Sequence, residues 1–341
     1  MSPESAALAS EVVPGAADVS ASALGTQSHG LLGLAALVAL AGGGGGGGAG
    51  ATPLTSTTLT VNVVAGPVNE SLTVVVYDDQ GNAVGQGRTN ASGTLTLSLM
   101  KNGQAYTGPI MVQVLDPNTS DSLGYRDETS GLSKDIMQSL RAVAASVKSG
   151  DVITVSPVTE IASQLVLGSN FPTAGSPLSA AAVTAANSNV AGKLGIANVL
   201  GSVTPVIAAD GTQNSQYVES DGLSDAEQYG RVLAKLSGND LVNAGKTSTT
   251  IQQYVSAMGT GASAVDELLL QGAKAFEYGV QENSPPPPTA DYATLLDASD
   301  GKLVTAISAA GGNTYSGRVL HVPMTATVAD ATAAQAKEES R

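Results

Sequence analysis

Ala244-Gly245-Lys246-Thr247-Ser248 is the segment whose residue order comes nearest to a nucleotide site. A phosphate-binding loop carries a glycine five places before its Gly-Lys pair, so that backbone N–H groups cradle the phosphates. That place holds Asp240, and no strand pattern precedes it. The segment reads instead as a helix start capped by Thr247 or Ser248. Glycines 42–48 satisfy the dinucleotide pattern trivially. No strand leads into them and no clear helix follows, so that reading fails as well. A Gly-x-Ser-x-Gly nucleophile elbow does not occur. A Ser–His–acid triad would have to use His29 or His321. His29 lies in a small-residue segment, and His321 sits in a strand pattern on the side opposite Leu320 and Val322, as a surface residue would. Zinc has neither a His-Glu-x-x-His pattern nor clustered histidines.

Calcium is the remaining metal to weigh. Asp78, Asp79 and Asn82 share one turn, and Asp116 and Asp121 flank another. Calcium takes six to eight oxygens, so it would have to gather ligands from adjacent loops. Ordinary Asx turns explain the same residues. Paired carboxylates suited to glycoside chemistry cannot be told from sequence, but sugar sites stack rings on aromatic residues. This chain has no Trp, 9 Tyr and 2 Phe. The sequence therefore assigns no catalytic, cofactor-binding or metal-ligating residue, and predicts a protein that is not an enzyme and carries no cofactor.

The elements around these residues come from an unusual composition. The 341 residues carry a formal net charge of −14, and only 13% are charged. Such a field repels phosphate backbones and disfavours nucleic acid. Zero Cys removes disulfides, thiolate metal sites, Cys nucleophiles and lipid attachment through Cys. Hydrophobic residues make up 42% but aromatic ones 3%, so the core must be built mainly from Ala, Val and Leu.

Residues 56–117 alternate as strands do. Leu59, Val61 and Val63 form one run, and Leu72, Val74 and Val76 a second. Leu95, Leu97 and Leu99 form a third, and Ile110, Val112 and Val114 a fourth. Gly66-Pro67, Asp78-Asp79-Gln80-Gly81-Asn82 and Asn90-Ala91-Ser92-Gly93 separate them as turns. Short strands at this spacing predict a small antiparallel β-sandwich. The stretch Val74-Val75-Val76-Tyr77-Asp78-Asp79-Gln80-Gly81-Asn82, followed by Gly87-Arg88-Thr89-Asn90-Ala91-Ser92-Gly93-Thr94, resembles the carboxypeptidase-regulatory or collagen-adhesin B-type immunoglobulin-like module. That resemblance implies a prealbumin-like fold common on bacterial surfaces. Some such modules carry a Lys–Asn isopeptide crosslink, but no Lys precedes Lys101 here, so none is expected.

Residues 130–282 read as helices. Ile136, Leu140, Val143 and Val147 share a helical face that Gly150 can close. Ser156-Pro157 reads as an N-cap and first-turn proline ahead of Val158, Ile161, Leu165 and Val166. Ser179 caps a helix carrying Val183, Ala186, Val190 and Leu194, with Gly195 as its stop. Ser224-Asp225-Ala226-Glu227 is a capping box before Tyr229, Val232, Leu233 and Leu236, and Gly238 ends that helix. Ile251, Val255 and Met258 mark a further helix, and Val265, Leu268, Leu269 and Phe276 the last.

Val155-Ser156-Pro157-Val158-Thr159-Glu160-Ile161-Ala162 is similar to a "TPLTEIA"-like segment of large bacterial surface proteins, where it follows an immunoglobulin-like module. Ala185-Ala186-Asn187-Ser188-Asn189-Val190 and Tyr229-Gly230-Arg231-Val232-Leu233-Ala234-Lys235-Leu236-Ser237-Gly238 resemble the continuation of that pattern, in the same order. The apolar run 31–41 with its glycine tract also resembles the N-terminal region of type 1-secreted, biofilm-associated adhesins. The C-terminal Lys337-Glu338-Glu339-Ser340-Arg341 does not resemble their usual secretion signal, and no sortase-type anchor is visible.

The run 31–41 is too short to span a bilayer, which takes roughly 20 residues, so no membrane span is expected. The first basic residue is Arg88, so no positive signal-peptide region precedes the run. The glycines cost backbone entropy on ordering, so the segment is either flexible or packed against a neighbouring subunit.

The reading is α+β in five parts. Residues 1–55 form the small-residue segment, 56–128 an immunoglobulin-like sandwich and 129–283 a helical domain. Residues 284–289 form a polyproline linker, and 290–341 short helices, an edge strand over 320–328 and a polar tail. The resemblances imply an extracellular or cell-surface structural or adhesive protein that self-associates into a fibre or matrix, with other matrix components as partners. A monomeric binding module for a small molecule or glycan, using the cleft between sandwich and helices, is the alternative.

Overall fold

The computed structural model describes residues 56–205, 224–243 and 248–282. All lie in one unit, Pro53–Arg341. The described residues are α+β, with ten strands and five helices.

Each of the four alternating runs forms a strand: β1 (Thr57–Val63), β2 (Thr73–Tyr77), β4 (Thr94–Lys101) and β6 (Ile110–Leu115). Between them lie β3 (Ala83–Arg88) and β5 (Gln104–Ala105). β7 (Tyr125–Arg126) and β8 (Ser133–Lys134) form a two-stranded ribbon, and β9 (Leu140–Ala144) and β10 (Asp151–Val155) follow. One four-stranded sheet has the order β10-β1-β4-β5 and the other β3-β2-β6-β9. The pairings are antiparallel except that of β10, which lies parallel to β1 with Ile153 opposite Val61. Leu59, Val61 and Leu99 of the first sheet share one buried core with Val74, Val76, Val112 and Val114 of the second.

The glycines of β3 explain its weak pattern. A Cβ on Gly85 would lie 2.5 Å from a Leu97 methyl. Large leucines on β4 thus fill the space that an apolar side chain on β3 would otherwise occupy.

The segment 136–147 is not helical, which corrects the sequence reading. Its middle is β9, buried at every position from Leu140 to Ala144. Leu140, Ala142 and Ala144 face the inter-sheet core, while Val143 packs with Met111, Leu178 and Val183 on the outer side. A strand covered on both faces loses its alternation, so its apolar spacing passes for a helix. Gly150, with φ 92°, turns the chain into β10 rather than closing a helix. Strands therefore continue to Val155, and the helices begin at Pro157.

The helices are α1 (Pro157–Leu167), α2 (Ala180–Leu194), α3 (Asp225–Asn243), α4 (Thr250–Thr260) and α5 (Ala262–Glu282). Ser156 and Ser179 cap α1 and α2 as the sequence predicts, and Gly195 closes α2 in the left-handed region. Ser224 and Glu227 exchange capping bonds ahead of α3, with Ser224 N donating to Glu227 Oε2 at 2.8 Å. α4 is capped by Thr249, one residue beyond Ser248, because Gln252 completes a capping box there.

Gly238 does not end α3, which runs on to Asn243. It lies where α3 crosses α5: a Cβ on Gly238 would meet the Gly272 carbonyl oxygen at 2.2 Å. A Cβ on Gly272 would meet that of Lys235 at 2.1 Å. Two glycines admit a backbone-to-backbone approach that any side chain would block.

The joint between strands and helices is polar. Arg141 on β9 and Glu160 on α1 are both buried. Arg141 Nη2 donates to Glu160 Oε1 at 2.7 Å, and Arg141 Nε reaches Glu160 Oε2 at 3.1 Å. The Arg141 backbone N–H donates to Glu160 Oε2 at 2.8 Å, and Gln164 Nε2 adds a further donor to Oε1 at 3.0 Å. Two further guanidinium N–H groups reach the carbonyls of Gly168 at 2.8 Å and Asn170 at 3.0 Å. Thr159 Oγ1 donates to the Arg141 carbonyl at 2.8 Å. Ser156-Pro157-Val158-Thr159-Glu160 is therefore at once a helix start and the residue set that fastens α1 to β9.

The sequence expectations for residues 1–55, for the proline run 285–288, for helices within 290–310 and for the 320–328 strand lie outside the described residues.

Two stability outcomes follow. Glu160→Ala strands a buried guanidinium and is expected to lower unfolding free energy by about 3–5 kcal/mol; Arg141→Met with Glu160→Met should recover much of that in urea titrations. Gly238→Ala is expected to cost at least about 2 kcal/mol through its backbone collision. Gly259→Ala, with nothing near its Cβ position, should be neutral or stabilising.

Candidate acidic cleft

The chain between β7 and β8 carries Asp127-Glu128-Thr129, all buried. Asp127 organises the turn: its Oδ2 accepts from Ser130 N at 2.9 Å and Ser130 Oγ at 2.6 Å. α3 docks on this turn through Ser237, whose Oγ donates to Asp127 Oδ1 at 2.9 Å and accepts from Thr129 N at 3.0 Å. Lys134 Nζ lies 3.0 Å from the same Asp127 oxygen.

Beside this contact is a cleft of about 560 Å³. Its apolar wall includes Ile136, Leu140, Leu233, Leu236 and Ile251. Among the described residues its charged lining is Asp127, Glu128, Asp135 and Asp240 against a single cation, Lys134. Glu128 is 1% exposed, and its Oε1 has no hydrogen-bond partner. Desolvation by burial, then the neighbouring Asp127, push its carboxyl well above the usual range. Asp240 is crowded by protein atoms yet reached by solvent at the cleft mouth. Desolvation raises its carboxyl to about 6, with Thr250 and Lys134 opposing and solvent damping the effect.

A second acidic group gathers beside it. Glu70 is pushed up to about 7 by desolvation, then by Asp116 and Asp121. Both aspartates are committed to backbone and side-chain donors around them. Asp116 accepts from Asn118 N at 2.8 Å and Ile136 N at 3.0 Å. Asp121 accepts from Leu123 N at 3.0 Å and Asn118 Nδ2 at 2.9 Å.

The turn of Asp78, Asp79 and Asn82 holds a cation already, and it is Lys101. Its Nζ lies 2.7 Å from Asp78 Oδ2. Asp78 Oδ1 accepts from Gln80 N at 2.9 Å and Asn82 N at 2.8 Å, as an Asx turn requires. The structure thus brings Asp116 and Asp121 together with Glu70 and keeps Asp78 and Asp79 apart from them. Among the described residues no group of three or more His, Asp or Glu is arranged to hold a metal ion. None of their helices is long and apolar enough to cross a membrane. His29, His321 and Lys246 lie outside the described residues.

Sequence reasoning missed Asp127 and Glu128, and met Asp240 only as the place where a glycine was wanting. An Asp-Glu pair ahead of Thr-Ser-Gly looks like a solvated turn; only α3 arriving from far along the chain buries it. No known protein family matches this chain, and no curated protein matches it.

The pH dependence has a definite sign. Glu128, Asp240 and Glu70 have folded-state pKa values above their unfolded ones, so the folded protein binds protons more tightly. Their stabilisation is full below the unfolded carboxylate range and is lost as pH rises through the folded values. Unfolding free energy is expected to be higher at pH ~5 than at pH ~7.5. Glu128→Gln should flatten that slope in urea titrations at the two pH values.

Proposed function

We propose that this chain is a non-enzymatic structural or adhesive protein of the bacterial exterior that self-associates into a surface fibre or matrix. The observation that carries the reading lies in the sequence: the apolar run 31–41 leads directly into glycines 42–48. A contiguous apolar stripe left uncovered calls for a partner. Glycines beside it permit close backbone approach when it docks.

The two facing four-stranded sheets support an immunoglobulin-like, prealbumin-like module, in keeping with the resemblance around Asp78 and Gly93. The role of Thr159 and Glu160 in fastening α1 gives the "TPLTEIA"-like segment a physical reason to follow such a module. Partners in this reading are further copies of the chain and other matrix components. A strand over 320–328 would be a second means of pairing.

Burying the 31–41 stripe would contribute several kcal/mol per subunit, at about 25 cal/mol per Å² of apolar area. Leu34→Asp with Leu37→Asp is expected to abolish polymer while leaving the far-ultraviolet spectrum and unfolding midpoint of the strand–helix unit unchanged. Electron microscopy with light scattering reads the outcome; polymer of unchanged abundance contradicts the reading. A second reading, a binding module for a small molecule or glycan, is favoured by the 560 Å³ cleft. It expects a monomer.

A further inference from the structure

The cleft has an imbalance that the rest of the fold does not resolve. Among the described residues, four carboxyls line it against one ammonium, and that ammonium, Lys134, sits on Asp127. Glu128 is the most enclosed of the remaining three. Burying a carboxyl oxygen without a donor is costly, and ordinary folds avoid it. Here the unpartnered Oε1 belongs to Glu128, which is 1% exposed and stands among the residues that line the cleft. The walls beside it are aliphatic.

We propose that this cleft binds a small aliphatic primary amine, with the ammonium donating to Glu128 Oε1 and the hydrocarbon chain lying against Leu233, Leu236 and Ile251. The proposal rests on the cleft-binding reading and is independent of self-association. An ammonium supplies the donors that the carboxyl lacks, and its charge beside Glu128 favours the ionised form that burial opposes. A cleft of about 560 Å³ falls in the range that holds a small organic molecule. The carboxyls are not arranged to chelate a metal, whereas an ammonium needs only one close carboxylate. A sugar is a poorer match, because Tyr125 is the one aromatic side chain among the described lining residues. The net charge of −14 draws cations toward the protein from any side.

The test titrates the full chain with hexylamine, hexanol and hexanoate, reading the heat of binding and the methyl resonances of Ile136 and Ile251, which line the cleft. Hexylamine is expected to shift both methyls and to bind about tenfold or more tightly than hexanol, with hexanoate weakest. Glu128→Gln, which keeps shape and removes the ionisable carboxyl, should weaken hexylamine by about tenfold or more. Glu267→Gln, at an exposed position on α5, is the same change of side chain and should leave binding unchanged. Equal binding of hexanol and hexylamine would overturn the amine while leaving the cleft reading standing. Methyls that none of the three compounds moves would overturn both. Equal losses in the two variants would show a diffuse field rather than a seat at Glu128, and would also overturn the proposal.

Discussion

The architecture depends on one buried ion pair. Arg141 and Glu160 meet where the last strand of one sheet faces the first turn of the first helix. Buried pairs give little net stability, since desolvation offsets most of the Coulomb attraction. They are costly to break, however, and this one is well supplied with donors and acceptors. The guanidinium reaches Glu160, Gly168 and Asn170 at once, so it fixes both ends of α1 against β9. A slipped register would leave a buried charge alone, which makes the pair a device for specifying one arrangement.

From that joint the order extends outward. Fixing the start of α1 places Ser156, whose Oγ lies 2.8 Å from the Tyr229 hydroxyl on α3. Tyr229 in turn donates to the Val199 carbonyl at 2.7 Å. Two turns further along α3, Ser237 docks on Asp127 and Thr129, which closes one side of the cleft. Leu140 and Pro157, immediate neighbours of the joint, line that cleft too. The acidic site is thus a consequence of how strands and helices are joined. The burial that shifts Glu128 comes from the same contacts that hold α3.

Much of this was legible in the sequence wherever a single element decides its own pattern. β1, β2, β4 and β6 alternate, and Ser156, Ser179 and Ser224 announce helix starts through local hydrogen bonds. What was not legible depends on partners far along the chain. β9 is apolar on both faces because α1 and α2 cover its outer side, so its spacing imitates a helix. β10 pairs parallel to β1, a non-local choice that no turn chemistry signals. Gly238 resembles a helix stop until Gly272 is seen against it. Glu128 resembles a surface residue until α3 arrives, Ser237 lying 108 residues from Thr129 in sequence.

The central claim is that the polar joint makes strands and helices one cooperative body. Native-state hydrogen exchange on the full chain addresses it directly. The account predicts that the slowest amides of β9, α1 and α3 exchange through a single opening, with the same free energy and the same denaturant dependence as those of β1 and β6. Helices α3 to α5 exchanging through a separate, cheaper opening while the sheets stay protected would contradict it.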